Sequence, residues 1–363
     1  MTATSYDIAI VGAGIVGASL AAALVPQARV LLLESEDQAG YHATGRSAAF
    51  WSETYGGPGI QPLTSASEAD LRAAGVLDPL GSLHIGRAED AARIDAFLAA
   101  FEGTAVALTR VDPGELVPGL RPAWTLGVWE PSCAYIDVAA LHAAYLATVR
   151  RLGGTIATRA GLRAASRADG RWLLDTEAGA FGAAVLVDAA GAWADAIAIR
   201  AGARPLGIQP FRRTVAQIRT DPPAAPTLPH VADIGGRFYF KPEVGGRLWL
   251  SPHDETPVDP CDAAPEELDV AIAIDRFEGV VDWRVAAVER SWAGLRSFAP
   301  DRLPVYGFDA AVPGFFWCAG QGGFGIQTAP AGAALAASLL LGTTLPEGYA
   351  ALDPERYAPA RFA

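Results

Sequence analysis

Apolar residues fall into two kinds of run along this chain. The first kind is short and unbroken. Ile8 to Val11 and Val30 to Leu33 are apolar at every position, as expected of strands buried on both faces of a parallel sheet. Between them, Ile15 to Leu24 reads as a helix with small residues Gly17, Ala18 and Ala21 on the side facing the sheet, and Pro26 marks its end. Further on, Ala139, Leu141, Ala144, Tyr145, Thr148 and Val149 recur at helical spacing and predict a helix over roughly Asp137 to Leu152. Strands are expected at Thr155 to Thr158, Leu162 to Ser166, Arg171 to Thr176 and Ala184 to Val187. Near the C-terminus, Phe315 to Ala319 reads as a strand and Ile326 to Leu341 as a helix.

The second kind of run alternates. Thr214 to Ile218, Arg237 to Lys241 and Arg247 to Leu250 place apolar side chains at every other position, and Pro222, Pro223, Pro226 and Pro229 interrupt the segment. From Gly207 to about Arg290 this texture predicts an antiparallel sheet with one solvated face. The expected architecture is therefore α/β: a Rossmann-type nucleotide-binding domain carrying an inserted sheet domain.

Composition narrows this picture. With 363 residues, two domains are the natural expectation. The formal net charge of -12 makes the chain a poor general binder of nucleic acid or anionic membrane. A local arginine pair can still hold a small anion, because distant charge is screened over roughly 8 Å. The three cysteines, Cys133, Cys261 and Cys318, have neither zinc-ligand nor CxxC spacing, which suits free thiols in a reducing cytoplasm. Ala331 to Leu341 is apolar but far short of the ~20 residues a bilayer needs. A cytoplasmic protein without a membrane span is expected.

Candidate chemistry begins at SYDIAIVGAGIVGA. A buried strand enters a turn containing Gly12, Gly14 and Gly17, a helix leaves it, and Glu34 closes the next strand. Gly12 permits the turn, Gly14 lets backbone approach a pyrophosphate, and Gly17 lets helix and strand pack closely. The helix N-terminus would face the phosphates, and Glu34 the hydroxyls of the adenosine ribose. Two further stretches favour FAD over NAD. VLVDAAGAWAD ends a strand in small residues. FFWCAGQGGFGIQT joins a strand to a helix through Gly320 to Gly325, placing backbone N–H groups where a reduced flavin carries negative charge.

Taken together with GYHATGRSAA and WAGLRSFAPD, these motifs resemble the FAD-dependent D-amino acid oxidase and dehydrogenase family over almost the whole chain. Within it, the likeness is to bacterial D-arginine dehydrogenase-type enzymes. The resemblance implies a glutathione-reductase-like FAD domain (residues 1–82, 140–204 and 292–363) and a substrate domain with a mixed sheet (83–139 and 205–291). It implies cofactor contacts at Gly12, Gly14, Ile15, Val16, Gly17, Glu34, Ser35, Thr44, Gly45, Arg46, Ser47, Ala48, Ala49 and Leu162. Further contacts are expected at Ala190, Gly191, Trp193, Arg296, Gly320, Gly322, Gly323, Phe324, Gly325, Ile326 and Gln327.

For the substrate, the resemblance implies a carboxylate held by Arg213, Arg296 and Tyr239, an amine at the Gly323 carbonyl, and Tyr55 in the pocket wall. Arg212 would point away from Arg213 along a strand. The implied reaction is oxidation at Cα, giving an imino acid that hydrolyses to a 2-oxo acid and ammonia. Electrons would pass to oxygen, a quinone or another carrier.

Two positions depart from the D-arginine pattern: Ser82 and Phe50 stand where a glutamate and a histidine are expected. Phe50 and Trp51 add aromatic surface, so a neutral, apolar or aromatic D-amino acid is expected, although Glu53 offers a replacement carboxylate. No cysteine adjoins Pro300-Asp301, so FAD is expected to be non-covalent. His230 and His253 are not expected to act as bases. The alternatives are oxidation of a 2-hydroxy acid or N-alkyl amino acid, or a non-catalytic FAD-binding protein.

Overall fold

The computed structural model of the chain describes residues 4–362. Thr4–Val11 is a central strand of an eight-stranded sheet. It lies parallel to Gly179–Asp188 on one side and Val30–Leu33 on the other, with Phe315–Ala319 and Thr155–Ala157 beyond them. Antiparallel strands Leu162–Ala168, Arg171–Thr176 and Val305–Phe308 extend this parallel core. Alternation along the buried strands sorts the core into two faces. Ile8, Ile10, Val30 and Leu32 meet the helices Ile15–Leu24 and Ala329–Leu341, while Ala9, Val11, Leu31 and Leu33 meet Trp172, Ile197 and Trp317.

Local chemistry explains most element ends. Gly12 has φ +103°, and a Cβ there would lie 2.4 Å from the Ala189 carbonyl oxygen. At Gly17 a Cβ would stand 1.9 Å from the Gly12 carbonyl oxygen, so the helix sits on its strand only without a side chain. The helix Val138–Arg151 starts at Asp137, whose carboxylate accepts from the Ala140 N–H at 2.9 Å, and carries Arg150 and Arg151 in its last turn. The last long helix begins at Ala329, three residues later than its pattern suggests. Residues 324–328 close instead into turns, with Thr328 N–H bonded to the Phe324 carbonyl, and Pro330 occupies the first helical turn.

The second sheet has ten strands and is mixed: His230–Asp233 runs parallel to Ser82–Arg87, and the other pairings are antiparallel. Tyr239–Glu243 begins after Arg237, which turns back to bind Asp233 through Nε at 2.7 Å and Nη2 at 2.9 Å. The segment read as sheet also contains a helix, Glu267–Glu278, whose Ala273 and Phe277 pack beneath Phe240, Leu248 and Leu250.

Arg284–Phe298 is a 15-residue strand paired with Gln209–Asp221 along its length. Its first half is largely exposed, so it lacks the apolar alternation by which strands are read. The expected domain division at residue 292 falls inside this strand. Among the described residues, no helix is long and apolar enough to cross a membrane.

Candidate active site

A cavity of about 580 Å³ runs from the carboxyl ends of the parallel strands to the inner face of the second sheet. Glu34, Ser35 and Leu162 line one end. Gly12, Gly14, Ile15, Val16, Thr44, Ala190, Gly191 and Trp193 line the middle. Ser47, Ala48, Ala49, Phe50, Tyr55, Arg213, Tyr239, Arg296, Gly322, Gly323, Gly325 and Ile326 line the other end. Ligands in open α/β sheets bind at this edge of the strands, where backbone amides and helix N-termini converge.

The long arm of the cavity is framed by backbone. Gly14 is the N-cap of the first helix, in extended conformation with no side chain between helix and cavity. The Ile15 N–H donates to Thr44 Oγ1 at 2.9 Å, tying the loop Ala43–Ala49 across the helix start. Glu34 is buried and fixed. One carboxylate oxygen accepts from the Ala13 N–H at 3.1 Å, the other from the Ser35 hydroxyl at 3.2 Å and the Glu36 N–H at 3.0 Å. Arg46 reaches out of the loop, donating to the Ala263 carbonyl at 2.7 Å and to the Ala293 carbonyl of the second sheet at 3.3 Å, and Trp292 donates to the Arg46 carbonyl at 3.1 Å. His42 Nε2 bonds Glu36 Oε1 at 2.9 Å, and its ring packs 4.6 Å from Trp193.

The short arm is framed by side chains. Alternation along Gln209–Asp221 sends neighbouring arginines to opposite faces. Arg212 pairs with Glu266 and Asp269 on the helix side, and Arg213 faces the cavity. Arg296 is buried beside the rings of Tyr55, Phe298 and Phe324, 4.9–5.7 Å from their centroids. Its guanidinium lies against Gly323, where a Cβ would fall 2.2 Å from Nε and 2.6 Å from Nη2. Tyr239 is buried, and burial pushes its phenol up to about 12, so it remains a donor at neutral pH.

Among the described residues, Arg213 Nη1 and Arg296 Nε are buried with no hydrogen-bond partner. Orphaned donors of this kind are rare in a finished interior, and both belong to residues of the cavity wall. They fit a carboxylate-sized guest at the end of the cavity that they line.

Residues 7–339 match the family described as DAO, FAD dependent oxidoreductase. The chain belongs to that family. Among curated proteins, the bifunctional protein ThiO/ThiG of a Synechocystis species is 24% identical over 368 aligned residues covering 98% of this chain. The chain spans about half (54%) of that relative's length. Among solved structures, glycine oxidase from Geobacillus kaustophilus superposes with a TM-score of 0.84 at 24% identity, covering 99% of each chain. L-proline dehydrogenase from P. horikoshii superposes with a TM-score of 0.84 at 20% identity, covering 99% of this chain and 98% of its own. These likenesses establish the DAO fold and do not single out the D-arginine dehydrogenase branch.

FAD is the cofactor of this DAO-family chain, and most of the residues expected to hold it line this cavity. Five expected contacts are set back from that wall: Gly17, Gly45, Gly320, Phe324 and Gln327. Gly17 packs helix on strand, and Gly45 packs against the Gly40 carbonyl. Gly320 adjoins Ala299, and Phe324 stacks edge-on to Tyr55. Gln327 Nε2 donates to the Tyr55 carbonyl at 3.0 Å and to Thr64 Oγ1 at 2.8 Å, so it holds Tyr55 from behind.

The acids and aromatics near the short arm also sort differently from expectation. Phe50 lines the cavity, but Trp51, one residue along the strand, faces the opposite core with Ile15, Leu71 and Ile136. Glu53 is buried against Ser65 Oγ at 2.5 Å and is absent from the cavity wall. It offers no carboxylate to a substrate. Ser82 is spent on His230 Nδ1 at 2.8 Å.

His230 stacks on Phe50 with centroids 4.5 Å apart, and His253 meets Tyr239 edge-on at 5.7 Å. Burial lowers both imidazoles, His253 to about 3, so both are neutral, and they pack behind the residues that line the cavity. Glu130 is a buried anchor the sequence did not disclose. It accepts from the Glu53 N–H at 2.8 Å, Ser52 Oγ at 3.0 Å and Thr54 Oγ1 at 2.6 Å, and fixes the segment leading to Tyr55.

Proposed function

We propose that this chain oxidises a neutral α-amino acid of the D series at Cα, with non-covalently bound FAD as the two-electron acceptor. The observation that carries the reading is the convergence of Arg213 Nη1 and Arg296 Nε, both buried and unpartnered, at the short arm. A carboxylate accepting from both satisfies two orphaned donors and neutralises buried charge. Tyr239 supplies a further donor on the same guest. Gly323, whose lack of a side chain lets Arg296 approach, presents backbone to the amine.

The remaining wall is Phe50 and Tyr55, whose rings lie 4.9 Å apart. The acidic residues that line the cavity, Glu34, Glu36 and Glu177, lie at the far end. A cationic side chain would therefore be buried without a partner, which is costly. A short or flat apolar side chain suits this wall. With the carboxylate clamped and the side chain against Phe50, the Cα–H bond is oriented by position, and no side-chain base is needed to hold it there. The cysteines support non-covalent binding: Cys133 and Cys318 are buried in packing, Cys261 is exposed, and none lines the cavity.

The test is anaerobic reduction of the purified yellow protein. Bleaching by small or aromatic D-amino acids, with L-forms and D-arginine inert, is the expected result. Bleaching only by L-forms, 2-hydroxy acids or N-alkyl amino acids would reassign the substrate. No bleaching by any of them would point to a binding role. Admitting air then distinguishes oxygen from a quinone or other carrier as acceptor.

A further inference from the structure

The loop Pro252–Glu255 passes behind the arginine pair, on the side away from the cavity. It is pinned to the strand that carries Arg213: the Asp254 carboxylate accepts from the Thr214 N–H at 2.8 Å and Thr214 Oγ1 at 3.0 Å. The Asp254 carbonyl accepts from Arg213 Nε at 2.7 Å. The next side chain does more. A single oxygen of Glu255 accepts from Arg296 Nη1 at 2.6 Å, Arg302 Nη2 at 2.8 Å and Arg213 Nη2 at 3.4 Å.

Glu255 is not part of the cavity wall, whereas Arg213 and Arg296 are. The groups it leaves free are Nη1 of Arg213 and Nε of Arg296, the two buried donors without partners. Each guanidinium is thus held by one edge and open at another.

This arrangement solves a physical problem. Two guanidinium groups side by side repel each other, and in a low-dielectric aromatic wall that repulsion is strong. Each also has rotatable bonds through which it can turn its donors away. A carboxylate seated behind both offsets the repulsion and fixes which edge faces forward. Burial raises the Glu255 carboxyl, but Arg296, Arg302 and Arg213 together outweigh it and hold the group below the usual carboxylate range, so it is ionised at neutral pH.

We propose that Glu255 is the positioning residue of the carboxylate receptor: from the outer side it presents the free edges of Arg213 and Arg296 to the guest, and it governs binding rather than the chemical step. This rests on the amino-acid reading above.

The test uses the FAD-loaded protein and benzoate as a carboxylate probe, followed by the shift it causes in the flavin absorbance band. In E255Q the dissociation constant for benzoate and the KM of the amino-acid substrate are expected to rise together by about tenfold or more, as for loss of a charge-assisted contact, with kcat within about threefold. E255D, which restores the charge on a shorter arm, is expected to recover part of the loss.

Equal or tighter benzoate binding in E255Q would overturn the proposal and make Glu255 a competitor for the receptor. Loss of FAD or a collapsed melting temperature in both E255Q and E255D would also overturn it, by making the residue a support of the fold. If the wild-type flavin band responds to neither benzoate nor any amino acid, the amino-acid reading itself fails, whatever the variants do.

Discussion

The two arms of the cavity are built by opposite means. The long arm, proposed for FAD, is backbone: a glycine turn, a helix start, and strand ends within some 35 residues of one another, supplemented by Ala190 and Gly191 just past the end of the adjacent strand. The short arm, proposed for the substrate, is side chain, drawn from Phe50, Tyr55, Arg213, Tyr239 and Arg296, with Gly323 leaving room for Arg296, and is held by Glu130, Glu255 and Gln327. A backbone site fails when a wrong residue will not fit. A side-chain site fails by degrees, one contact at a time. That difference ranks what substitutions should do.

The largest effect is expected at Gly12. Its φ is positive, and any Cβ there would come within 2.4 Å of the Ala189 carbonyl oxygen, so no branched side chain fits. G12V should yield protein that carries no flavin after purification and takes up none on adding FAD, read from the visible spectrum. Retention of normal flavin content would show that the FAD arm does not depend on this turn.

Next comes Arg296. R296L removes a buried cation, strands Glu255 against one fewer partner and deletes half of the carboxylate receptor. A loss of about 10²–10³ in kcat/KM is expected, with flavin content retained, because truncating a buried hydrogen-bonded charge costs roughly 2–5 kcal/mol. A loss of FAD instead would mean that the two arms are not separable.

The same contrast decides how much was legible in the sequence. Gly12, Gly14, Gly17 and Glu34 lie within one strand-turn-helix-strand unit, so hydrophobic pattern and spacing suffice to place them. Alternation sends Arg212 and Arg213 to opposite faces, but both are buried, and only the family resemblance assigned Arg213 to the substrate. His230 was not legible beside Phe50, because it arrives there through parallel pairing of its strand with Ser82–Arg87, a contact between segments almost 150 residues apart. Glu255 was hidden for the same reason: Arg213 and Arg296 come to its loop from two strands, and Arg302 from the turn after the second, each some 40 residues or more away in sequence. Trp51 misled because a two-residue strand does not tell which face opens on a cavity, and Glu53 because it lies past the strand's end, where the chain turns its carboxylate to Ser65.

A smaller effect, on stability, is expected at Glu130. Burial raises its carboxyl, but hydrogen bonds and charge from His84, with the hydroxyls of Thr54 and Ser52, outweigh it and leave the group below its ordinary value. A carboxylate depressed in the folded state contributes stability above its unfolded pKa, and that contribution is lost as pH falls through the folded value. Wild-type melting temperature should therefore fall on acidification below about pH 4.5 more steeply than that of E130Q, which lacks the titrating group. At neutral pH, E130Q should be destabilised by about 1–3 kcal/mol, because its amide N–H groups face donors. A raised KM in the same variant would show that the Ser52–Tyr55 segment transmits the loss to the substrate arm.

The smallest effect is expected from Tyr239. Y239F deletes one neutral donor from a receptor that keeps both arginines, so a rise in KM of about tenfold or less is expected, with flavin content unchanged. The pH dependence makes the test sharp. With its phenol pushed up to about 12 by burial, Tyr239 stays protonated across the range in which the substrate amine titrates. The amine's own titration acts equally on wild type and variant and cancels in the ratio of their KM values. That ratio should be flat from about pH 6 to 10, near the ordinary phenol range. A ratio that falls toward unity as pH rises through 9 or 10 would mean that the phenol ionises early and repels the carboxylate, and the donor role given to Tyr239 would not stand. A flat ratio close to one would mean instead that the two arginines hold the carboxylate without it.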